Sequence, residues 1–129
     1  MALVVMDSSA LIAHVEREAG WENIEQLLPS ALVTTVNLAE VAQYWAKKGL
    51  DREEVARGID ALCVVAVAPD LLLALDAGTM IAHTARRGLS LADRFCLALA
   101  RRENIPALTA DRAWAEIADA VGVRVELLR

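Results

Sequence analysis

The chain has 129 residues, 57% of them hydrophobic and 24% charged, and a net charge of −5. That is one domain's worth of sequence with enough apolar content to bury a core without staples, which excludes a disordered segment. The acidic balance argues against a simple basic nucleic-acid binder, although Arg86, Arg87, Arg94, Arg101, Arg102 and Arg112 give the second half local positive charge.

Leu3-Val4-Val5-Met6 is a short apolar run that stops at Asp7 and reads as a buried parallel strand, not as a signal peptide. Helical spacing follows over Ser8 to Glu18. Gly20 punctuates it, and Trp21 to Leu28 reads as a second short helix closed by Pro29. Ala31 to Thr34 is the second strand. The spacing then predicts a helix from about Asn37 to Lys48, ended by Gly49, and another over Arg52 to Ala61 with Asp51 as its N-cap.

Cys63 to Val67 reads as a third strand, stopped by Pro69. Asp70 opens a long helix to Arg87, with Gly88 as its C′ residue. Ser90 opens the helix Leu91 to Glu103, which is apolar almost all round and is expected to be the most buried. Ile105 to Thr109 is a fourth strand. Asp111 begins a last helix to about Ala120, and Val123-Arg124-Val125 is a short final strand after Gly122.

Strands alternating with helices predict an α/β fold, a parallel sheet covered on both faces. The longest uncharged run, Gln26 to Ala39, is too short to span a bilayer. Cys63 and Cys96 read as reduced core thiols, which suits a cytoplasmic protein. His14 and His83 are isolated and read as surface or packing residues.

Four acids fall at matching places. Asp7 and Asp111 lie just past the ends of the first and fourth strands. Glu40 and Asp93 lie near the starts of the helices after the second strand and after Ser90. In a parallel sheet all these positions share the edge at the strands' carboxyl ends, where open α/β sheets bind ligands. Each acid alone has a plainer explanation as a helix cap, and Asn37–Glu40 and Ser90–Asp93 both have capping-box spacing. Four acids on one edge, however, repel unless hard divalent cations offset them. A cation so held activates water and stabilises charge on a phosphoryl oxygen. Ser8, Ser9 and Thr109 can hydrogen-bond the acids or a phosphate, or serve as turn and cap residues. Arg94 and Arg112 can hold phosphates, or pair with nearby carboxylates at the surface.

Other acid-bearing α/β sites fit less well. A phosphoacceptor receiver needs a lysine after a late strand, where Thr109-Ala110-Asp111 has none. A haloacid-dehalogenase-type phosphatase needs a second Asp where Ser9 stands, and no glycine-rich loop supports nucleotide binding.

The stretches Val4-Val5-Met6-Asp7-Ser8-Ser9-Ala10-Leu11, Val36-Asn37-Leu38-Ala39-Glu40-Val41, Gly88-Leu89-Ser90-Leu91-Ala92-Asp93 and Leu108-Thr109-Ala110-Asp111-Arg112 together resemble the PIN domain nucleases, and within them the VapC toxins of toxin–antitoxin pairs. The resemblance covers essentially the whole chain, residues 1–129, as a single PIN domain. It implies a three-layer α/β/α fold and a Mg²⁺- or Mn²⁺-dependent endoribonuclease acting on RNA. It implies Asp7 and Asp93 as principal metal ligands, with Glu40 and Asp111 completing the site directly or through water; Ser8, Thr109 and Arg112, beside those acids, are the supporting candidates. It further implies a homodimer and a cognate VapB-type antitoxin. Trp21, Tyr44, Trp45 and Trp114 are candidates either for an interface or for internal packing.

Overall fold

The computed structural model describes residues 1–129. Five short strands, β1 (Val4–Met6), β2 (Ala31–Thr34), β3 (Val65–Val67), β4 (Ala107–Thr109) and β5 (Val125–Leu127), form one sheet in the order β3-β2-β1-β4-β5. Every pairing is parallel, with Val4 opposite Ala31, Val5 opposite Ala107 and Leu108 opposite Glu126. The chain winds outward from β1 through β2 to β3, then crosses back to β4 on the other side of β1. The topological switch therefore lies between β1 and β4, which is where such sheets open a crevice at their carboxyl ends.

Alternation along the strands splits the core in two. Val5 and Leu32 face one layer, with Leu73, Ala77, Leu97, Leu99, Trp114 and Val121. Val4, Met6, Ala31 and Val33 face the other, with Leu11, Ile24, Leu38, Val41 and Leu62. Period-two alternation thus buries both faces of each central strand. The helices α1 (Ser8–Val15), α2 (Trp21–Leu27), α3 (Thr35–Lys47) and α4 (Arg52–Leu62) cover one face. The helices α5 (Leu71–Thr79) and α7 (Leu91–Glu103), with a 3₁₀ turn at Arg112–Glu116 and α8 (Ala118–Val121), cover the other. The result is the expected three-layer α/β/α fold.

Several boundaries differ from the sequence reading. The helix expected at Asn37 starts at Thr35, because Thr34 Oγ1 accepts the Asn37 N–H and supplies the N-cap. Glu40 accordingly sits in its second turn, and no capping box joins it to Asn37. The long helix expected over Asp70 to Arg87 breaks after Thr79 into α5, α6 (Ile81–Thr84) and a 3₁₀ turn, Ala85–Arg87. Thr79 Oγ1 donates back to the Leu75 carbonyl at 2.8 Å, a bond that bends helices, and Gly78 beside it lowers helix propensity. The last helix opens as a 3₁₀ turn, and the final strand lies two residues later than expected. Val123 is spent on the core and β5 pairs from Val125.

Cys63 corrects the reading of two buried thiols. It terminates α4 in the left-handed region, φ 59°, and is exposed; Cys96 on α7 is fully buried. As expected, α7 carries more buried residues than any other helix. No helix is long and apolar enough to cross a membrane.

Candidate active site

The switch point gathers the acids. β1 delivers Asp7 directly after Met6, and the Asp7 N–H donates to the Leu108 carbonyl, so its backbone belongs to the β1–β4 seam. Asp7 occupies the N-cap position of α1 yet makes no capping bond. The plain explanation for an acid at that place therefore fails here. Its side chain is only 2% exposed, and Oδ2 accepts from Ser9 Oγ at 2.6 Å and Thr109 Oγ1 at 2.9 Å. Burial pushes its pKa up to about 6; the hydroxyls of Ser9 and Thr109 pull down, and the charges of Asp93 and Glu40 push up.

The two hydroxyls also fix the β4 tip. Ser9 Oγ accepts the Ala110 N–H and Thr109 Oγ1 accepts the Asp111 N–H, each at 3.0 Å. Each hydroxyl has a single hydrogen, and in both cases it goes to Asp7. Asp111 then caps the 3₁₀ turn, its Oδ1 accepting the Ala113 N–H at 3.0 Å, and stays exposed.

Glu40 comes from α3 and is half-buried. Its Oε1 accepts from Ser8 Oγ at 2.7 Å and, more loosely, from Asn37 Nδ2 at 3.4 Å. Asn37 Nδ2 also donates to the Ala92 carbonyl at 3.1 Å, which ties α3 to the first turn of α7. Asn37 is fully buried. It orders Glu40 and Asp93 relative to each other, a role the sequence reading did not assign, having treated it as a cap.

Asp93 does cap. It forms a reciprocal capping box with Ser90, its Oδ2 accepting the Ser90 N–H at 2.8 Å while Ser90 Oγ accepts the Asp93 N–H at 3.1 Å. Burial raises its pKa, Ser90 opposes the shift, and the charges of Glu40 and Asp111 add to it. One turn deeper on α7, burial raises the Cys96 thiol well above its usual value, with Asp7, Asp93 and Glu40 all adding to the effect. Three acids from three elements thus act on one buried point.

The donor set is hard oxygen and suits a divalent cation in kind. The arrangement is open. No three acidic, histidine or cysteine side chains stand close enough around one point to enclose an ion. Ser8 ties Glu40 to α1, Ser9 and Thr109 tie Asp7 to the β1–β4 seam, and Ser90 and the Ala113 N–H hold Asp93 and Asp111 to their own turns.

Neither of the two arginines that follow site acids forms an ion pair. Arg94 is buried on α7 and makes no ion pair, and Arg112 donates to the Arg129 carbonyl at 3.2 Å. Trp114 is fully buried, so it belongs to the core. Trp45 packs so closely on α4 that a Cβ at Gly58 would stand 2.8 Å from its ring. Trp21 lies under the Arg17 guanidinium, 3.9 Å from the ring centroid.

A neighbouring feature was missed. A groove of about 250 Å³ between α1 and α3 is lined by Ser8, Ile12, Glu40, Gln43, Tyr44 and Lys47. The signal was present in the sequence, because 40, 43, 44 and 47 are the i, i+3, i+4, i+7 positions of one helix face.

An all-parallel sheet between two helical layers, with four carboxylates at the carboxyl ends around its switch point, defines an α/β protein with an acidic sheet edge. The PIN domain family model matches residues 4–120, and the chain belongs to that family. Among solved structures, the fold is similar to DNA-bound VapBC from Salmonella typhimurium, with a TM-score of 0.75 and 19% identity over 100% of both chains. A toxin–antitoxin complex from Klebsiella pneumoniae matches at a TM-score of 0.74 and 17% identity over 98% of each chain. The Sarcin-Ricin loop cleaving toxin VapC20 from Mycobacterium tuberculosis matches at 0.69 and 18% identity, over 88% of this chain and 93% of that one. Comparison with curated protein sequences gives no match.

Proposed function

We propose that this PIN domain is the toxin of a VapBC-type toxin–antitoxin pair, a metal-dependent endoribonuclease that hydrolyses RNA phosphodiester bonds. The observation that carries the reading is Asp7, a buried carboxylate at an N-cap position that caps nothing and is pushed toward neutrality by burial and by its acidic neighbours. Such an arrangement costs stability unless a cation offsets it. The resemblance to toxins of solved toxin–antitoxin complexes supports the same reading.

Asp7 and Asp93 would be the principal holders of Mg²⁺ or Mn²⁺, with Glu40 and Asp111 completing the set. When bound, the cation supplies Lewis acidity for water activation and offsets charge gathering on the phosphoryl oxygens. Ser9 and Thr109 orient the Asp7 carboxylate, Ser8 and Asn37 orient Glu40, and Ser90 orients Asp93. The burial of Asp7 keeps bulk water off one side of the site.

The partners we infer are an RNA substrate, an antitoxin of the VapB type and a second copy of the chain. Leu71, Leu72, Leu75 and Ile81 leave an exposed apolar face on α5 and α6, which supports burial against another protein.

The test is cleavage of RNA by purified chain, freed of antitoxin, with Mg²⁺, with Mn²⁺ and with a chelator. Asp7→Asn should bind no divalent cation saturably and leave RNA intact while remaining folded. Cleavage by that variant at the wild-type rate would sink the reading.

A further inference from the structure

The groove between α1 and α3 begins at the acids and leads away from them. Its inner end is the Ser8–Glu40 pair, bonded at 2.7 Å. From Glu40 the lining runs up one face of α3 through Gln43 and Tyr44 to Lys47, with Ile12 of α1 opposite. The order along the wall is therefore acid, amide, aromatic ring, ammonium.

These groups differ in what holds them. Lys48 pairs with Glu16 at 3.4 Å, and its ammonium stands 4.9 Å from the centroid of the Tyr44 ring. Tyr44 is half-buried on the groove wall. Half-burial and the neighbouring Lys48 ammonium restrict its ring, which lowers the entropy lost on stacking. Lys47 makes no ion pair and is exposed, although it belongs to a chain with an excess of acids. A half-buried ring and an unpaired ammonium along one wall match the two repeating parts of a single nucleic-acid strand, the base and the phosphate.

We propose that this groove binds the single-stranded RNA next to the bond that is cut, with a base stacked on Tyr44, a backbone phosphate on Lys47, and the Gln43 amide facing the base edge. The proposal rests on the nuclease reading of the adjoining acids and extends it to the strand's path. A duplex is disfavoured, because a base must leave its stack to reach a ring inside a groove of this size. An acidic protein segment would also pair with Lys47, so the requirement for a base at Tyr44 is what separates the two occupants.

The experiment measures binding without cleavage, in chelator, by fluorescence anisotropy. The probes are an oligoadenylate of about ten nucleotides, within the usual range of single-strand site sizes, and an abasic ribose-phosphate chain of the same length. Wild type should prefer the oligoadenylate by roughly tenfold or more, the range expected for one stacked base. Tyr44→Phe should keep that preference, and Tyr44→Leu should lose it and bind both probes alike. Lys47→Gln should weaken both probes equally and reduce the slope of log affinity against log salt by about 0.7. With Mg²⁺, both groove variants should raise KM far more than they lower kcat.

Tyr44→Leu that stays folded and retains the full preference for bases would overturn the proposal. So would unchanged KM in both variants, the result expected if the groove serves a protein partner. The nuclease reading fails separately. Wild type that binds oligoadenylate in the expected way but never cuts RNA with any divalent cation would remove that reading and leave the groove assignment standing.

Discussion

Thr109 Oγ1 donates to Asp7 Oδ2 across 2.9 Å, joining the tips of two neighbouring strands whose residues stand 102 positions apart in sequence. The same oxygen accepts the Asp111 N–H, so one hydroxyl orients one acid by its side chain and another by its backbone. Thr109→Val keeps the shape and removes both bonds. A buried N–H left without an acceptor costs about 1–3 kcal/mol, and a carboxylate that loses a donor is harder to ionise. The variant is expected to melt lower than wild type and to titrate Asp7 at a higher pH. Thermal unfolding and carboxyl-resolved NMR titration measure the two effects. Unchanged Asp7 titration would show that Ser9 alone sets that carboxylate.

Asp7 also fixes a pH dependence whose sign is the reverse of the usual carboxylate case. Its pKa in the folded chain is about 6 against 3.8 for the free group, so between those values the folded chain holds a proton that the unfolded chain has released. Stability of the metal-free protein therefore falls as pH rises through that window and stays at the lower level above it. The loss from this one group is about 3 kcal/mol. Asp7→Asn removes the contribution, so its stability should vary less between pH 4 and 7.5 and exceed that of wild type at the upper end. Urea unfolding at both pH values, with chelator, gives the comparison. Mg²⁺ should then stabilise wild type and leave the variant unaffected. An equal pH slope in both proteins would contradict the burial argument.

What could be read from sequence followed from strong local signals. Apolar runs that stop dead at Asp7 and Asp111, and the Ser90–Asp93 spacing, locate three acids by chain direction alone. What could not be read depends on partners distant in sequence or on rules that compete locally. Thr34 lies in a β-branched stretch that reads as strand to its end, yet its hydroxyl starts α3 and moves Glu40 a turn deeper. Ser9 carries no sign that it would meet Ala110. Cys63 sits among apolar neighbours, but its place at the end of α4 and before the edge strand β3 leaves it in solvent. The groove was missed for another reason. Lys47 lies seven residues beyond Glu40 and far from any strand tip along the chain, whereas a helix returns to the same face every three to four residues.

Asn37 tests how far the acids depend on a neutral residue. It donates to the Ala92 carbonyl and to Glu40, and it accepts from Thr34 Oγ1, all while fully buried. Asn37→Ala strands those groups and is expected to cost about 1–3 kcal/mol. Asn37→Asp keeps the shape but can no longer donate, and it adds a charge beside Glu40. It should be the less stable of the two at neutral pH and should recover part of the difference in acid. Chemical unfolding of both variants at pH 5 and pH 7.5 supplies the measurement. If Asn37→Asp matched wild type at pH 7.5, the two amide donations would carry no weight.

The two thiols should separate cleanly by reactivity. Thiolates are the reactive form, so a raised pKa and burial act in the same direction. Cys96 is fully buried beneath the acids and its thiol is raised well above the ordinary value, first by burial and then by Asp7, Asp93 and Glu40. Cys63 is exposed at the end of α4. A thiol-reactive chromogenic disulfide at pH 8 should therefore label Cys63 quickly in the native chain and reach Cys96 only after denaturant is added. Cys63→Ser should abolish the fast phase and leave the slow one. Because three acids contribute to the Cys96 shift, Asp7→Asn should lower that thiol's pKa without exposing it. Reaction of native Cys96 at a rate near that of Cys63 would mean that α7 opens readily, and the rigid seat it gives Asp93 would be lost with it.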